Sequence, residues 1–262
     1  MNLFNAPFDP AQDAALVTGA GNGIGRAIAQ ALVGEGVRTV FADVSEERLA
    51  AAIRTAPRPE LAVPWIGDLA AREGCDALIA HALSALGQVT HFVHSASPPR
   101  READHTMAVD ADTWRRMHAV NLDAGFHLSR GLARKLIAAK MPGSFLLLTS
   151  LHAGTPRNLP HYSTAKAGMA MLVKELAKSW GRYGIRVNAL VPGAIAAGGF
   201  VADPALASYI PLGRLGQAED LAPMALAVLS NKFSRYVTGA SIVVDGGLSL
   251  TNWFAPAEFG EI

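Results

Sequence analysis

The chain has 262 residues, half of them hydrophobic, and 23 basic against 22 acidic side chains leave a formal charge of +1. That length and composition suit a large buried core in one α/β domain, and the absence of a basic excess or of basic clusters interleaved with aromatics argues against nucleic-acid binding. One cysteine, Cys75, excludes an internal disulfide and fits a reducing compartment. It reads as a helix-packing residue, and no set of metal ligands is picked out. Met1 to Pro7 lacks a basic stretch followed by an apolar one, and no run reaches the roughly 18 apolar residues of a membrane span. The expectation is a soluble, cytoplasmic protein.

The first element is an apolar strand, Ala14 to Thr18, running into Gly19-Ala20-Gly21-Asn22-Gly23-Ile24-Gly25 and then into a helical stretch, Arg26 to Val33. A strand, a glycine turn and a helix start aim backbone N–H groups and the positive end of the helix dipole at a ligand phosphate. The spacing Gly19-x-x-x-Gly23-x-Gly25 departs from the G-x-G-x-x-G dinucleotide fingerprint. Its ordinary alternative is a flexible turn between two packed elements. Thr18, Asn22 and Ile24 belong to the same candidate phosphate turn.

A second strand, Arg38 to Ala42, ends at Asp43. An acid at about this distance from the glycines accepts bonds from an adenosine ribose and repels a 2′-phosphate, so NAD is expected over NADP. The neighbours Val44 and Ser45 offer no arginine to offset such a phosphate. Asp43 also has a simpler role open to it, capping a helix that begins near Ser45. A third strand, Leu61 to Ile66, leads to Asp68 and Leu69, which are placed against the adenine edge.

Further helices are expected near Glu46–Ile53, Ala70–Leu86, Ala111–Ala139, Pro160–Trp180 and Ala218–Leu229. Strands are expected near Thr90–His94, Ser144–Thr149, Arg186–Val191 and Ala240–Val244. This alternation implies right-handed crossovers and a parallel sheet covered on both faces. Gly19, Asp43, His94, Ser150 and Pro192 then fall just past strand ends and are expected to line one crevice.

Tyr162 and Lys166 stand one helical turn apart on a shared face, where the ammonium approaches the phenol. A free tyrosine titrates near about 10, and a nearby cation favours its ionised form, which makes the pair suited to proton transfer. Alone, the motif is a common accident on helices. Ser150 alone reads as a turn serine, and Asn121 alone as a polar residue bending a helix.

Taken together, Thr18-Gly19-x-x-x-Gly23-x-Gly25, Asn121, Ser150, Tyr162-x-x-x-Lys166, Arg186-Val187-Asn188, Pro192-Gly193 and Val244-Asp245-Gly246-Gly247 resemble the short-chain dehydrogenase/reductase family over nearly the whole chain. The resemblance implies a single Rossmann-like, doubly wound parallel sheet of about seven strands across residues 1–262, commonly assembled as a dimer or tetramer. It implies that Tyr162 is the acid or base, that Lys166 lowers its pKa and holds the nicotinamide ribose, that Ser150 bonds the reacting oxygen, and that Asn121 supports a relay water. The family's Asn-Asn-Ala-Gly is replaced here by His94-Ser95-Ala96-Ser97, followed by Pro98-Pro99-Arg100-Arg101. Ala96 leaves room near the cofactor ribose, while His94 and Ser95 take the place of amide contacts. After Pro192-Gly193, Ile195 backbone groups are expected to hold the carboxamide, a family threonine being replaced by Ala196.

The region from about 194 to 212 corresponds to a substrate loop, with Phe200 and Val201 as cover for an apolar ligand. His152 and His161 flank the catalytic residues. The aromatic tail, Thr251 to Pro256, suggests docking on its own or a neighbouring subunit. The expected activity is an NAD(H)-dependent interconversion of a secondary alcohol and a ketone. The alternatives are an NADPH-dependent 3-oxoacyl-thioester reductase and a dinucleotide-bound regulatory or scaffold protein without turnover.

Overall fold

The computed structural model describes residues 7–197 and 204–250. In chain order the principal elements are β1 (Ala14–Thr18), α1 (Gly23–Gly34), β2 (Arg38–Asp43), α2 (Glu46–Arg54), β3 (Ala62–Ile66), α3 (Arg72–Leu86), β4 (His91–His94), α4 (Ala111–His118), α5 (Ala124–Ala139), β5 (Gly143–Leu148), α6 (Pro160–Trp180), β6 (Ile185–Pro192), α7 (Ala218–Leu229), α8 (Asn231–Ser234) and β7 (Ser241–Val244). The strands form one parallel sheet ordered β3-β2-β1-β4-β5-β6-β7. The chain leaves β1 toward β2 on one side and returns to β4 on the other. That reversal opens the crevice in which doubly wound sheets bind ligands.

Two cores follow from the strand period of two. Ala15, Val17, Phe41, Val93 and Leu146 face α1 and α7, packing on Ile28, Leu32, Leu221 and Leu229. Leu16, Val40, Phe92, Phe145 and Leu147 face the other way, onto Leu78 of α3, Leu128 and Leu132 of α5, and Met169 and Val173 of α6. Strands covered on both faces read as continuous apolar runs, as β1 and β5 do.

The element types match the expected ones, with shifted boundaries and one correction of substance. The helix expected over Ala111–Ala139 is interrupted by a π-helical turn, Ala119–Asp123. The cause is long-range: the buried His94 ring bonds the carbonyls of Val120 and Asn121 and draws them off the α-helical ladder. α3 starts at Arg72 and not Ala70, because Asp68 Oδ1 accepts from the Ala70 N–H and holds a turn there. Asp43, His94 and Pro192 are the last residues of their strands; only Gly19 and Ser150 lie past them. His94 is fully buried and turns into the interior, so it does not line the crevice. Phe200, Val201 and the aromatic tail lie outside the described residues.

Arg186 on β6 ties the far side of the sheet together. Its guanidinium donates to the carbonyls of Val228, Leu229 and Val237 and to Asn231 Oδ1, joining β6 to the end of α7 and to the approach to β7. Burial draws its pKa down to about 10. Replacing it leaves several buried carbonyls unsatisfied, each worth about 1–3 kcal/mol. Arg186→Met is expected to lower unfolding free energy by about 2–5 kcal/mol; urea denaturation checks this, and a loss below about 1 kcal/mol contradicts it.

Candidate active site

The glycine turn after β1 is shaped for close approach. Gly19 has φ of 67°, and a Cβ there would stand 2.9 Å from the Ala96 backbone. At Gly25 a Cβ would overlap the Gly19 carbonyl, so the first turn of α1 closes onto the loop only without a side chain. Asn22 caps α1, its Oδ1 accepting from Gly23 N at 2.7 Å, and Gly23 opens the helix. Ile24 packs against the first core. Asp43 Oδ2 accepts from Gly21 N at 2.9 Å and Oδ1 from Ser45 N at 3.0 Å. The helix cap of α2 is Ser45, whose Oγ accepts from Arg48 N. The Asp43 carboxylate therefore stands at the glycine turn. Arg48 was missed: a Cβ on Gly21 would meet Arg48 Cβ at 3.1 Å, so its side chain starts beside the same turn. Its position three residues past Ser45, on a helix that folds back, was the available signal.

Thr18, at the end of β1, directs its hydroxyl inward. The oxygen accepts from the N–H groups of Ser95 and Ala96, each at 3.2 Å, and donates to His94 Nδ1 at 2.9 Å. Ser95 and Ala96 thus touch the turn through their backbone. The opposite ring nitrogen, Nε2, donates to Asn121 O at 3.0 Å and Val120 O at 3.1 Å, which fixes a neutral ring with its proton on Nε2. Burial first, and the Lys166 charge second, hold the His94 pKa down to about 4. His94 is a link that the sequence left without a role. It joins the phosphate turn to the π-helical turn carrying Asn121. Asn121 Nδ2 donates to Met117 O at 2.9 Å, while Oδ1 is buried with no protein partner among the described residues.

Two of the candidate catalytic residues, Ser150 and Lys166, meet the carboxyl end of β5. Ser150 follows β5 and accepts from His152 N at 3.2 Å. Pro160 sets the first turn of α6, which carries Tyr162 and Lys166 on one buried face. Lys166 is 4% exposed; its Nζ donates to Leu148 O at 2.7 Å and lies 5.7 Å from the Tyr162 ring centroid. Burial, and then the charge of Arg100, brings its pKa down to about 7. The His152 ring stands edge-on to Tyr162 at 6.4 Å, and its Nδ1–H donates to Thr155 O. The Arg100 guanidinium covers the Tyr162 ring at 4.7 Å from its centroid. His161, paired with His152 in the sequence reading, is fully buried and turned away from solvent.

The remaining candidates are more scattered. Asp68 forms an ion pair with Arg116 at 3.0 Å, and Leu69 is buried in the second core. Pro192 ends β6; Gly193 N donates to Val244 O, and a Cβ on Gly193 would run into Asp245. Ile195 pairs with Gly216. Cys75 is buried and its thiol is pushed up to about 11, which makes it inert. A cavity of about 340 Å³ lined by Phe8, Asp13 and Thr90 lies at the amino end of the sheet, away from this chemistry.

A family model described as enoyl-(acyl carrier protein) reductase matches residues 19–249. The chain belongs to the short-chain dehydrogenase/reductase family. It is similar to 3beta-hydroxysteroid dehydrogenase 1 of Eggerthella lenta, 36% identical over 94% of this chain and 96% of that protein. It is also similar to an L-rhamnose 1-dehydrogenase (NAD(P)(+)) of Azotobacter vinelandii, 33% identical over 89% and 95%. Among solved structures, 3-ketoacyl-(acyl-carrier-protein) reductase from Brucella melitensis, complexed with NADH, superposes with a TM-score of 0.84 at 27% identity, covering 92% of this chain and all of that one.

The His94 link makes stability depend on pH. An ordinary histidine value is 6.5 and the folded value is about 4, so the contribution is complete above about pH 6.5 and is lost as pH falls toward 4. At about 1.4 kcal/mol per unit, His94→Asn, which cannot titrate, is expected to lose about 2–3 kcal/mol less than the wild type between pH 7 and pH 4.5. Parallel denaturation-against-pH curves for the two proteins contradict it.

Proposed function

We propose that the protein interconverts a secondary alcohol and a ketone with NAD(H), through Asn121, Ser150, Tyr162 and Lys166. The observation that carries this reading is the buried ammonium of Lys166 one turn behind Tyr162, in a chain whose glycine turn after β1 is so close that a Cβ at Gly19 or Gly25 would meet backbone. The residues fit a dinucleotide. The Gly19–Gly25 turn, with Thr18, Asn22, Gly23 and Ile24, would hold the pyrophosphate, and Asp43 the adenosine ribose. Asp68 and Leu69 would flank the adenine, Ser95 and Ala96 the central cleft, and Pro192, Gly193 and Ile195 the carboxamide. Tyr162 and Lys166 would take the nicotinamide ribose. When bound, that cofactor supplies or accepts the hydride.

The protein's own share is one proton and one developing charge. In reduction, the Tyr162 phenol gives its proton to the carbonyl oxygen while Ser150 donates a hydrogen bond to the same oxygen; in oxidation the proton returns. The Lys166 cation stabilises the phenolate left behind. Asn121 Oδ1, buried and lacking a protein partner among the described residues, is the acceptor assigned to a relay water. Thr18 acts through its backbone, since its hydroxyl is engaged by His94, Ser95 and Ala96.

Asp43 supports NAD over NADP. Arg48 beside Gly21 supports the second reading, an NADPH-dependent 3-oxoacyl-thioester reductase, because a cation at that turn offsets a 2′-phosphate. We further assign the chain to the cytoplasm as one dinucleotide-binding unit in a homo-oligomer, dimer or tetramer, with a substrate loop at 194–212. Among the described residues no helix is long and apolar enough to cross a membrane.

Tyr162→Phe is expected to lower kcat by at least about 100-fold while fluorescence titration shows that NADH still binds. In the same titration the wild type binds NADH at least about tenfold more tightly than NADPH, a difference of about 1.4 kcal/mol. Full activity in the variant overturns the acid-base assignment, and preference for NADPH moves the weight from Asp43 to Arg48.

A further inference from the structure

The turn that carries Ser150 also carries an unused acceptor. Ser150 caps a short helical turn, Leu151–Ala153, and its Oγ accepts from His152 N at 3.2 Å. That bond occupies a lone pair of the hydroxyl and leaves its proton for a ligand oxygen. The His152 side chain, on the same turn, stands edge-on to Tyr162 with 6.4 Å between the ring centroids. One short turn thus places this ring beside both side chains assigned to the reacting oxygen.

A single bond sets the chemistry of the ring. Thr155 O can only accept, and it lies 3.1 Å from His152 Nδ1, so the proton is on Nδ1. Burial first lowers the His152 pKa below the ordinary 6.5, the charges of Arg157 and Arg100 working with it and the Thr155 bond and Glu102 against it. The ring is then neutral at pH 7 and above, and Nε2 carries a lone pair. Nε2 has no protein partner among the described residues and, unlike both ring nitrogens of His161, is not sealed from solvent.

An open lone pair beside Tyr162 selects by what it rejects. A carbonyl, ether or carboxylate oxygen set against Nε2 brings two acceptors together, and a hydrocarbon leaves the nitrogen unpaired. An ammonium is a donor, but it enters against the buried Lys166 cation. A hydroxyl supplies the proton without the charge. A site built to bond a hydroxyl rejects the analogue lacking it far more strongly than an apolar pocket rejects an added hydroxyl.

We infer that the substrate is a polyhydroxy alcohol, a vicinal diol, polyol or sugar, in which Tyr162 and Ser150 hold the hydroxyl being oxidised and His152 Nε2 accepts a hydrogen bond from the hydroxyl on a neighbouring carbon. This rests on the alcohol–ketone reading of the same site. His152 then sets specificity and takes no part in the proton transfer.

The test begins with purified protein and NAD, and in parallel NADP, against vicinal diols, polyols, sugars, steroids and hydroxy acids. The best substrate is expected to carry a hydroxyl next to the oxidised carbon. It is then compared with two analogues altered at that neighbour, the deoxy compound and the O-methyl ether, which keeps the oxygen and loses the proton. For 2,3-butanediol these are 2-butanol and 3-methoxy-2-butanol. The parent is expected to exceed both in kcat/KM by about tenfold or more. His152→Leu is expected to cut both parent-to-analogue ratios about tenfold, while His152→Gln, whose amide oxygen can accept, retains part of them. Ratios taken within each variant cancel any general disturbance of Ser150 or Tyr162. A best substrate without the neighbouring hydroxyl, an ether as good as its parent, or ratios unchanged in His152→Leu overturn the inference while leaving alcohol oxidation standing. No turnover of any alcohol with either cofactor overturns the underlying reading along with it.

Discussion

A lysine sealed beneath the carboxyl edge of the sheet is the constraint from which the site follows. Lys166 donates to the carbonyl that ends β5 and has no carboxylate beside it among the described residues; burial first, and the Arg100 charge second, bring its pKa down to about 7. An uncompensated cation in the interior is costly, and a protein keeps one only where the surrounding packing is strong enough to hold it. Here the two cores on either face of β5, built on Leu146 and Leu148 on one side and Phe145 and Leu147 on the other, supply that rigidity. In the proposed function the same charge would stabilise a phenolate one helical turn away.

Several other features are consequences of that charge. His94, in a position where an amide is the family habit, is neutral partly because Lys166 repels its protonated form. Neutrality gives the ring one donor and one acceptor, and it uses both, taking the Thr18 hydroxyl on Nδ1 and the π-turn carbonyls on Nε2. The glycine turn and Asn121 are thereby held by a single side chain across β1 and β4. The glycine turn and Asn121 are held relative to each other by hydrogen bonds among buried groups, which resist displacement in a low-dielectric interior.

Much of this was legible in the chain itself. The apolar runs at 14–18 and 145–148, Pro160 at a helix start and the i, i+4 pair at 162 and 166 are local signals, and they fixed the sheet, α6 and the buried face shared by Tyr162 and Lys166. What was not legible depends on contacts between distant segments. The π-turn needs His94, more than 20 residues upstream, to claim the carbonyls of Val120 and Asn121. Arg100 reads as part of a polar loop until that loop is folded back over the Tyr162 ring. Arg48 reads as a solvated helix residue until α2 places it by Gly21. His161, next to Tyr162 along the chain and read as more often a solvated structural residue than a substrate contact, is instead fully buried.

The central claim is a cation held at the edge of neutrality beside the phenol, and the most direct measurement is the titration of the Lys166 ε-amine. In cofactor-free protein labelled at lysine, with Lys166→Met for assignment, the Lys166 NMR signal is expected to titrate near pH 7, separate from the remaining lysines. A midpoint near the ordinary lysine value of 10.5 contradicts the account.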